Sequence, residues 1–296
     1  MMIERIWIFA NAPPDKERDL FLQRVEWLNL TDVALFVNGN QSCRFQLSST
    51  REQWIRETAR RLREINVDTH LVCWLRPIDS FLADSADRLR PLCEEVGARS
   101  LLFDAEEPWT KNTCGKRGPN WSKTVVENDW TFFNWPCRLG VTGIAALPDA
   151  VRPLINRCHY TLPQAYSTIA NRNLGKPGIT QTFAHEQWRD FRYPWFPFQR
   201  KQMVMGLATR SLQRPGGISQ KQAMQKAIAT VETLLDPAVT EVAYWSMNRI
   251  IGSKESVEFV RTAGAKVKQG ISQSLPDEQE QWHEREEEWL SPSLMF

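Results

Sequence analysis

The chain has 296 residues, 42% hydrophobic and 24% charged, the balance of a protein that folds around a large core rather than one that stays disordered. Its 37 Lys and Arg stand against 35 Asp and Glu, for a net charge of +2, so there is no electrostatic basis for binding nucleic acid or an acidic membrane surface. No run approaches the roughly 18 consecutive apolar residues of a membrane span.

Ile6 to Ala10 reads as a first strand, closed by Asn11-Ala-Pro-Pro, and a helix pattern follows from Asp15 to Leu28. Asp32 to Val37 is the second strand, ending at Asn38-Gly-Asn. Ser48-Ser-Thr with Glu52 forms an N-cap region, and Trp54, Ile55, Ala59, Leu62 and Ile65 mark one face of the helix behind it. A third strand, Thr69 to Leu75, is cut off by Arg76-Pro77, and a helix from Phe81 to Val96 stops at Gly97. The fourth strand runs from Leu101 to Glu106 and ends in Asp104-Ala-Glu-Glu-Pro-Trp109.

Beyond it, Thr110 to Asn120 reads as a loop and Trp121 to Phe133 as a helix. Leu139 to Ala146 is strand five, Pro148 to Arg157 a helix, and Tyr160 to Ser167 strand six. Residues 171–200, dense in Gly, Pro and aromatics, form an extended loop with a short helix around His185 to Phe191. Gln202 to Thr209 is strand seven, Ser219 to Leu235 an amphipathic helix, Glu241 to Met247 strand eight, and Ser253 to Lys268 a further helix. Eight strands nearly all separated by helices imply parallel strands with crossover connections, a closed (β/α)8 barrel over residues 1–270 with an extended loop before strand seven. Residues 271–296, acidic and bearing Trp282 and Trp289, form a C-terminal helix or a docking tail for a protein partner.

In such a barrel, functional side chains gather at the carboxyl ends of the strands. If strand four continues to its acids, Leu102, Asp104 and Glu106 share one face, and the two carboxyl groups sit on Cα atoms roughly 6 to 7 Å apart. That spacing lets one carboxyl raise the other's proton affinity, the arrangement that glycosidic bond cleavage uses. Alternation turns Glu107 toward the helices. Other strand ends contribute Asn11, Asn38, Gln164, Tyr166, Tyr244, Trp245 and Asn248, and 13 tryptophans, Trp109 among them, supply surfaces for stacking on sugar rings.

The six cysteines, at 43, 73, 93, 114, 137 and 158, lack a CxxC pair. Cys73, Cys93 and Cys137 sit in or beside apolar segments and read as buried free thiols rather than a disulfide framework or a zinc site. The four histidines are isolated at ligand spacing, so each reads as a surface or core residue and no metal is expected. Gly216-Gly217 reads as a turn rather than a phosphate loop, and no cofactor is expected.

The Asp104-Ala-Glu106 ending of strand four, the Gln164-Ala-Tyr166 ending of strand six and Trp245 on strand eight resemble the active-site lining of chitinase-like barrel glycoside hydrolases of family 18. The Asp-x-Glu ending also resembles the lysozyme-like family 25. The resemblance implies Glu106 as the proton donor to the glycosidic oxygen and Asp104 as the group that steadies the substrate's N-acetyl nucleophile. It further implies Tyr166 as an acetamide contact and Trp245 as the floor of the cleaved sugar's subsite. Asn11, Asn38, Trp109, Gln164, Tyr244 and Asn248 complete the expected substrate contacts. The chain departs from the family 18 pattern at Leu102 and Arg99, where further aspartates stand, and from the family 25 pattern at Asn11, where an Asp ends strand one.

Two readings follow. One is a hydrolase of peptidoglycan or chitin, including a cell-wall lysin of a phage-like element. The other is a barrel with reduced catalysis that serves as a carbohydrate-binding or structural part of a larger assembly. The N-terminus, Met-Met-Ile-Glu-Arg, carries no signal-peptide pattern. The expectation is synthesis in a cytoplasm, with release by lysis or carriage on a particle, and no membrane insertion.

Overall fold

Three helices of this protein end the same way, and each ending feeds a strand. In the computed structural model, which describes residues 3–11, 17–39, 44–105, 109, 134–144, 151–164, 202–208, 239–251 and 254–271, helix α1 spans Arg18–Trp27, α2 Ser49–Glu64 and α3 Asp79–Glu95. The residues that follow, Asn29, Asn66 and Gly97, have φ of 55°, 55° and 59°, the left-handed region open to Gly and tolerated by Asn. Each donates its N–H back into the last turn, to Glu26, Arg63 and Glu94, and the next residue reaches back to Val25, Leu62 and Cys93. This double closure satisfies carbonyls that a helix end leaves open and turns the chain sharply toward the sheet.

The strands are β1 Arg5–Ala10, β2 Asp32–Phe36, β3 Asp68–Trp74, β4 Ser100–Asp104, β5 Arg138–Ile144, β6 Tyr160–Gln164, β7 Gln202–Ala208 and β8 Val239–Trp245. All neighbours pair in parallel, and β8 returns to β1, closing an eight-stranded barrel in sequence order. The expected (β/α)8 architecture is therefore the one observed. Further helices are α4 Arg152–Arg157, the short α5 Met247–Ile250 and α6 Lys254–Ile271. The sequence reading carried strand eight on to Met247, but the strand stops at Trp245 and Met247 opens α5. The helices expected at 121–133 and 219–235, the extended loop at 171–200 and the tail from 272 lie outside the described residues.

Strand alternation separates two apolar layers. Ile6, Ile8, Val33, Leu35, Leu71, Cys73, Leu101, Phe103, Val242 and Tyr244 face the helices. Trp7, Phe9, Ala34, Phe36, Val72, Leu102, Tyr160, Leu162, Val204 and Ala243 fill the barrel. Gly140 makes room inside, since a Cβ there would meet the Tyr160 ring at 2.1 Å.

The amino-terminal end of the barrel is sealed by a buried polar network rather than by hydrocarbon. Asp32, fully buried, accepts from Arg5 at 2.8 Å, from the Thr31 hydroxyl at 2.6 Å and from His70 Nε2 at 2.8 Å. His70 Nδ1 lies 2.6 Å from Ser100 Oγ, which lies 2.7 Å from the Tyr160 hydroxyl, and the imidazole stacks on Trp7 at 3.7 Å. Burial alone would raise the Asp32 pKa. Hydrogen bonds and charge from His70 and Arg5 outweigh it and hold the carboxyl below its ordinary range. His70 is thus a core histidine with both ring nitrogens engaged, one of the two roles expected for an isolated histidine.

Candidate functional site

The opposite end of the barrel is built differently. Along β4, Leu102 faces the apolar interior and Asp104 follows it on the same face, as alternation requires. Asp104 is 5% exposed, and its Oδ1 accepts a hydrogen bond from Gln164 Nε2 of β6 at 3.2 Å, spanning the intervening β5. The register places Trp74 of β3 on one side of Asp104 and Thr142 of β5 on the other. The indole N–H of Trp74 and the hydroxyl of Thr142 are both buried and find no partner among the described residues. Two such atoms beside a buried carboxylate mark a place where a ligand or water supplies the missing bonds.

An aromatic floor lies at the same end. Trp245, at the last position of β8, is half-buried with its ring 5.4 Å from Phe9 and 5.4 Å from Phe36. Those two phenylalanines contact each other at 5.9 Å. They end β1 and β2 on the barrel's inner face, so the indole is held on two sides by strand residues with little freedom to tilt. Gly206 of β7 adds no side chain, and a Cβ there would meet the Pro163 carbonyl at 2.8 Å.

The sequence-derived residues divide into three groups. Asp104 and Gln164 are joined by a hydrogen bond, and Trp245 ends β8 at the same carboxyl end of the barrel. Glu106, Glu107 and Tyr166 lie outside the described residues, as does the side chain of Asn248, whose backbone belongs to α5. Asn11 is exposed just past β1.

The other three have different surroundings from those expected. Trp109 is fully buried in the layer between barrel and helices, where its indole N–H donates to the Leu75 carbonyl at 2.8 Å; a sugar has no access to it there. Tyr244 is 1% exposed in that same outer layer, because its neighbour Trp245 takes the inner face and alternation sends it outward. Asn38 spends its side-chain amide on the backbone of Trp74, donating to its carbonyl at 3.1 Å and accepting from its N–H at 2.8 Å. It prolongs the β2–β3 pairing by one step and positions Trp74.

Trp74 and Thr142 were not among the sequence candidates. The signal for Trp74 was present: it lies two positions beyond Val72 on the inner face and directly before the Leu75-Arg76-Pro77 chain break. Thr142 sits in a glycine-flanked run whose polar member draws no attention until the register places it beside Asp104.

No protein-family model and no curated protein sequence matches the chain. Solved structures do match. A chitinase from Bacteroides thetaiotaomicron aligns with a TM-score of 0.63 at 9% identity, covering 93% of this chain and 100% of that one. Catalytic-site mutants of active domain 2 of a thermostable chitinase from Pyrococcus furiosus, complexed with chito-oligosaccharides, align with a TM-score of 0.60 at 9% identity, over 93% and 98%. A GH18 chitinase from Cycas revoluta in complex with (GlcNAc)3 gives 0.55 at 10% identity, over 89% and 99%. At these identities the likeness is one of fold, and the chain shares the (β/α)8 barrel seen in family 18 chitinases.

Proposed function

We propose that this protein is a glycoside hydrolase that cleaves a β-linked N-acetylhexosamine polysaccharide at the carboxyl end of its barrel. The observation that carries the reading is the Asp104 carboxylate, buried on the inner face of β4 between two polar atoms that have no partner among the described residues, at the barrel end where Trp245 is held by Phe9 and Phe36. In this reading the Trp245 indole takes the apolar face of the sugar. The substrate's acetamide oxygen attacks the anomeric carbon, Asp104 holds the acetamide N–H, and Tyr166 contacts the acetamide. Glu106, two residues past Asp104, protonates the departing glycosidic oxygen. That role requires a carboxyl that keeps its proton near neutrality, which apolar surroundings and a neighbouring negative charge bring about.

Chitin-type chains are the preferred substrate, because the solved structures that share the fold include chitinases bound to chito-oligosaccharides. Peptidoglycan, and with it a phage-type cell-wall lysin, is the second choice. The test is incubation with chito-oligosaccharides and with peptidoglycan, products read by mass spectrometry, and Glu106→Gln as control. Shorter products that vanish in the variant support the proposal.

A second reading, a barrel with reduced catalysis that binds carbohydrate or serves as a structural component of a larger assembly, is favoured by one specific observation. Leu102 is packed into the apolar interior and Arg99 is paired with Asp68 at 2.9 Å, at the two upstream positions where the family 18 pattern has aspartates. Binding of the sugars without any product supports that reading.

A further inference from the structure

We propose that Trp74 is a specificity-determining residue of the sugar site. Its indole N–H donates to the carbonyl oxygen of the substrate's acetamide group while Asp104 accepts from the N–H of that group, so the site holds an N-acetylated sugar and rejects the free amine. Resting on the hydrolase reading above, this assignment names the atom that selects among hexosamines.

Three strands bring the polar atoms together. Trp74 follows Val72, Asp104 follows Leu102 and Thr142 follows Gly140, each two positions further along the inner face of its strand. Register sets Trp74 opposite Asp104 and Asp104 opposite Thr142. Neighbouring strands lie about 4.8 Å apart, so the three side chains stand in one row. The backbone fixes that row. Asn38 grips both the N–H and the carbonyl of Trp74, the Leu75 N–H donates to the Asp104 carbonyl at 3.2 Å, and the Ala105 N–H donates to the Thr142 carbonyl at 3.0 Å. On either side of Asp104, Trp74 Nε1 and Thr142 Oγ1 are buried with no hydrogen-bond partner among the described residues, and Thr142 as a whole is 2% exposed.

The three groups differ in what they demand of a ligand. An indole N–H only donates, a carboxylate only accepts, and a hydroxyl does both. An acetamide meets the first two at once, offering its carbonyl to Trp74 and its N–H to Asp104. A protonated amine offers donors alone. It gains a charge-assisted bond to Asp104, yet it leaves the Trp74 N–H buried, unpaired and facing a cation. Asp104 by itself therefore favours the amine, and Trp74 reverses the order. Leaving a buried donor unpaired weakens binding by about 5- to 150-fold. Thr142 turns its hydroxyl to suit either ligand, so it strengthens both without choosing between them.

The experiment removes the N–H in two ways. One is Trp74→Phe; the other is benzothienylalanine placed at position 74 by stop-codon suppression, which keeps the bicyclic ring and puts sulfur where the N–H was. Affinities for the tetramers of N-acetylglucosamine and of glucosamine are measured by isothermal titration at about pH 6, where the amine keeps its proton. The background is Glu106→Gln, so that the sugars survive the titration. Both replacements are expected to weaken the acetylated tetramer by about fivefold or more, and the ring-preserving one to leave the glucosamine tetramer unchanged or bound more tightly. Thr142→Val is expected to weaken both tetramers to a similar degree. A ratio of the two affinities that the ring-preserving replacement leaves unchanged overturns the proposal, while the hydrolase reading stands on cleavage by the wild type. If the parent binds neither tetramer and the wild type cleaves neither, the hydrolase reading fails and the proposal falls with it.

Discussion

Replacing Asp32 with Asn keeps the shape of the side chain and removes its charge from the centre of the network at the amino-terminal end of the barrel. Asp32 receives hydrogen bonds from Arg5, Thr31 and His70 and has no exposed surface, so water cannot replace what is lost. Removing one partner of a buried ion pair costs about 3–5 kcal/mol. Arg5 retains Asp68 as a partner and is 23% exposed, which places the expected loss at the lower end, about 3 kcal/mol. With a urea dependence of about 3 kcal/mol per molar for a chain of this size, the unfolding midpoint should fall by about 1 M, read by tryptophan fluorescence and far-ultraviolet circular dichroism.

The pH dependence carries a sign. Because the folded pKa of Asp32 is depressed, its contribution is fully present above the unfolded value of about 3.9 and is lost as pH falls through the folded value. The gap between wild type and variant should therefore be constant from neutral pH down to the ordinary carboxylate range and shrink below it. A variant within about 0.5 kcal/mol of wild type at pH 7, the range of an ordinary surface change, refutes the reasoning, as does a gap that widens on acidification.

Gly140→Ala drives a methyl into the Tyr160 ring, whose hydroxyl is engaged with Ser100; a loss of about 1–3 kcal/mol in thermal or urea unfolding is expected. Trp109→Phe removes the bond to the Leu75 carbonyl and should destabilise by about 1–3 kcal/mol while leaving sugar affinity unchanged in isothermal titration. Trp245→Ala should do the reverse, weakening chito-oligosaccharide binding at least tenfold with only a modest change in melting temperature. Asn38→Ala frees the backbone of Trp74 and should cost about 1–3 kcal/mol, with weaker sugar binding in the same titration because Trp74 loses its brace.

The barrel was legible because each strand is a short apolar run bounded by turn residues and because Gly97 ends the helix ahead of β4; Asn29 and Asn66, which do the same ahead of β2 and β3, showed that role only in the structure. Asp104, Gln164 and Trp245 were legible for a related reason: they are the last residues of their strands, and strand ends are where alternation still holds. The surroundings of Trp109 were not legible because it lies beyond the end of β4 at Asp104, where strand alternation no longer says which layer receives the indole. Tyr244 and Trp245 are adjacent, and adjacent strand residues cannot share a face; only packing shows that the larger ring goes inward. The roles of Asn38 and Thr142 depend on cross-strand register, which a single strand's sequence does not contain.

The most direct measurement is the rate of chito-oligosaccharide cleavage by wild type and by Glu106→Gln under identical conditions. General acid catalysis contributes about 10²–10⁴-fold, so the variant should retain sugar binding while its rate falls by at least about 100-fold. An unchanged rate in the variant, or a folded wild-type protein that neither cleaves nor binds the oligosaccharide, contradicts the account.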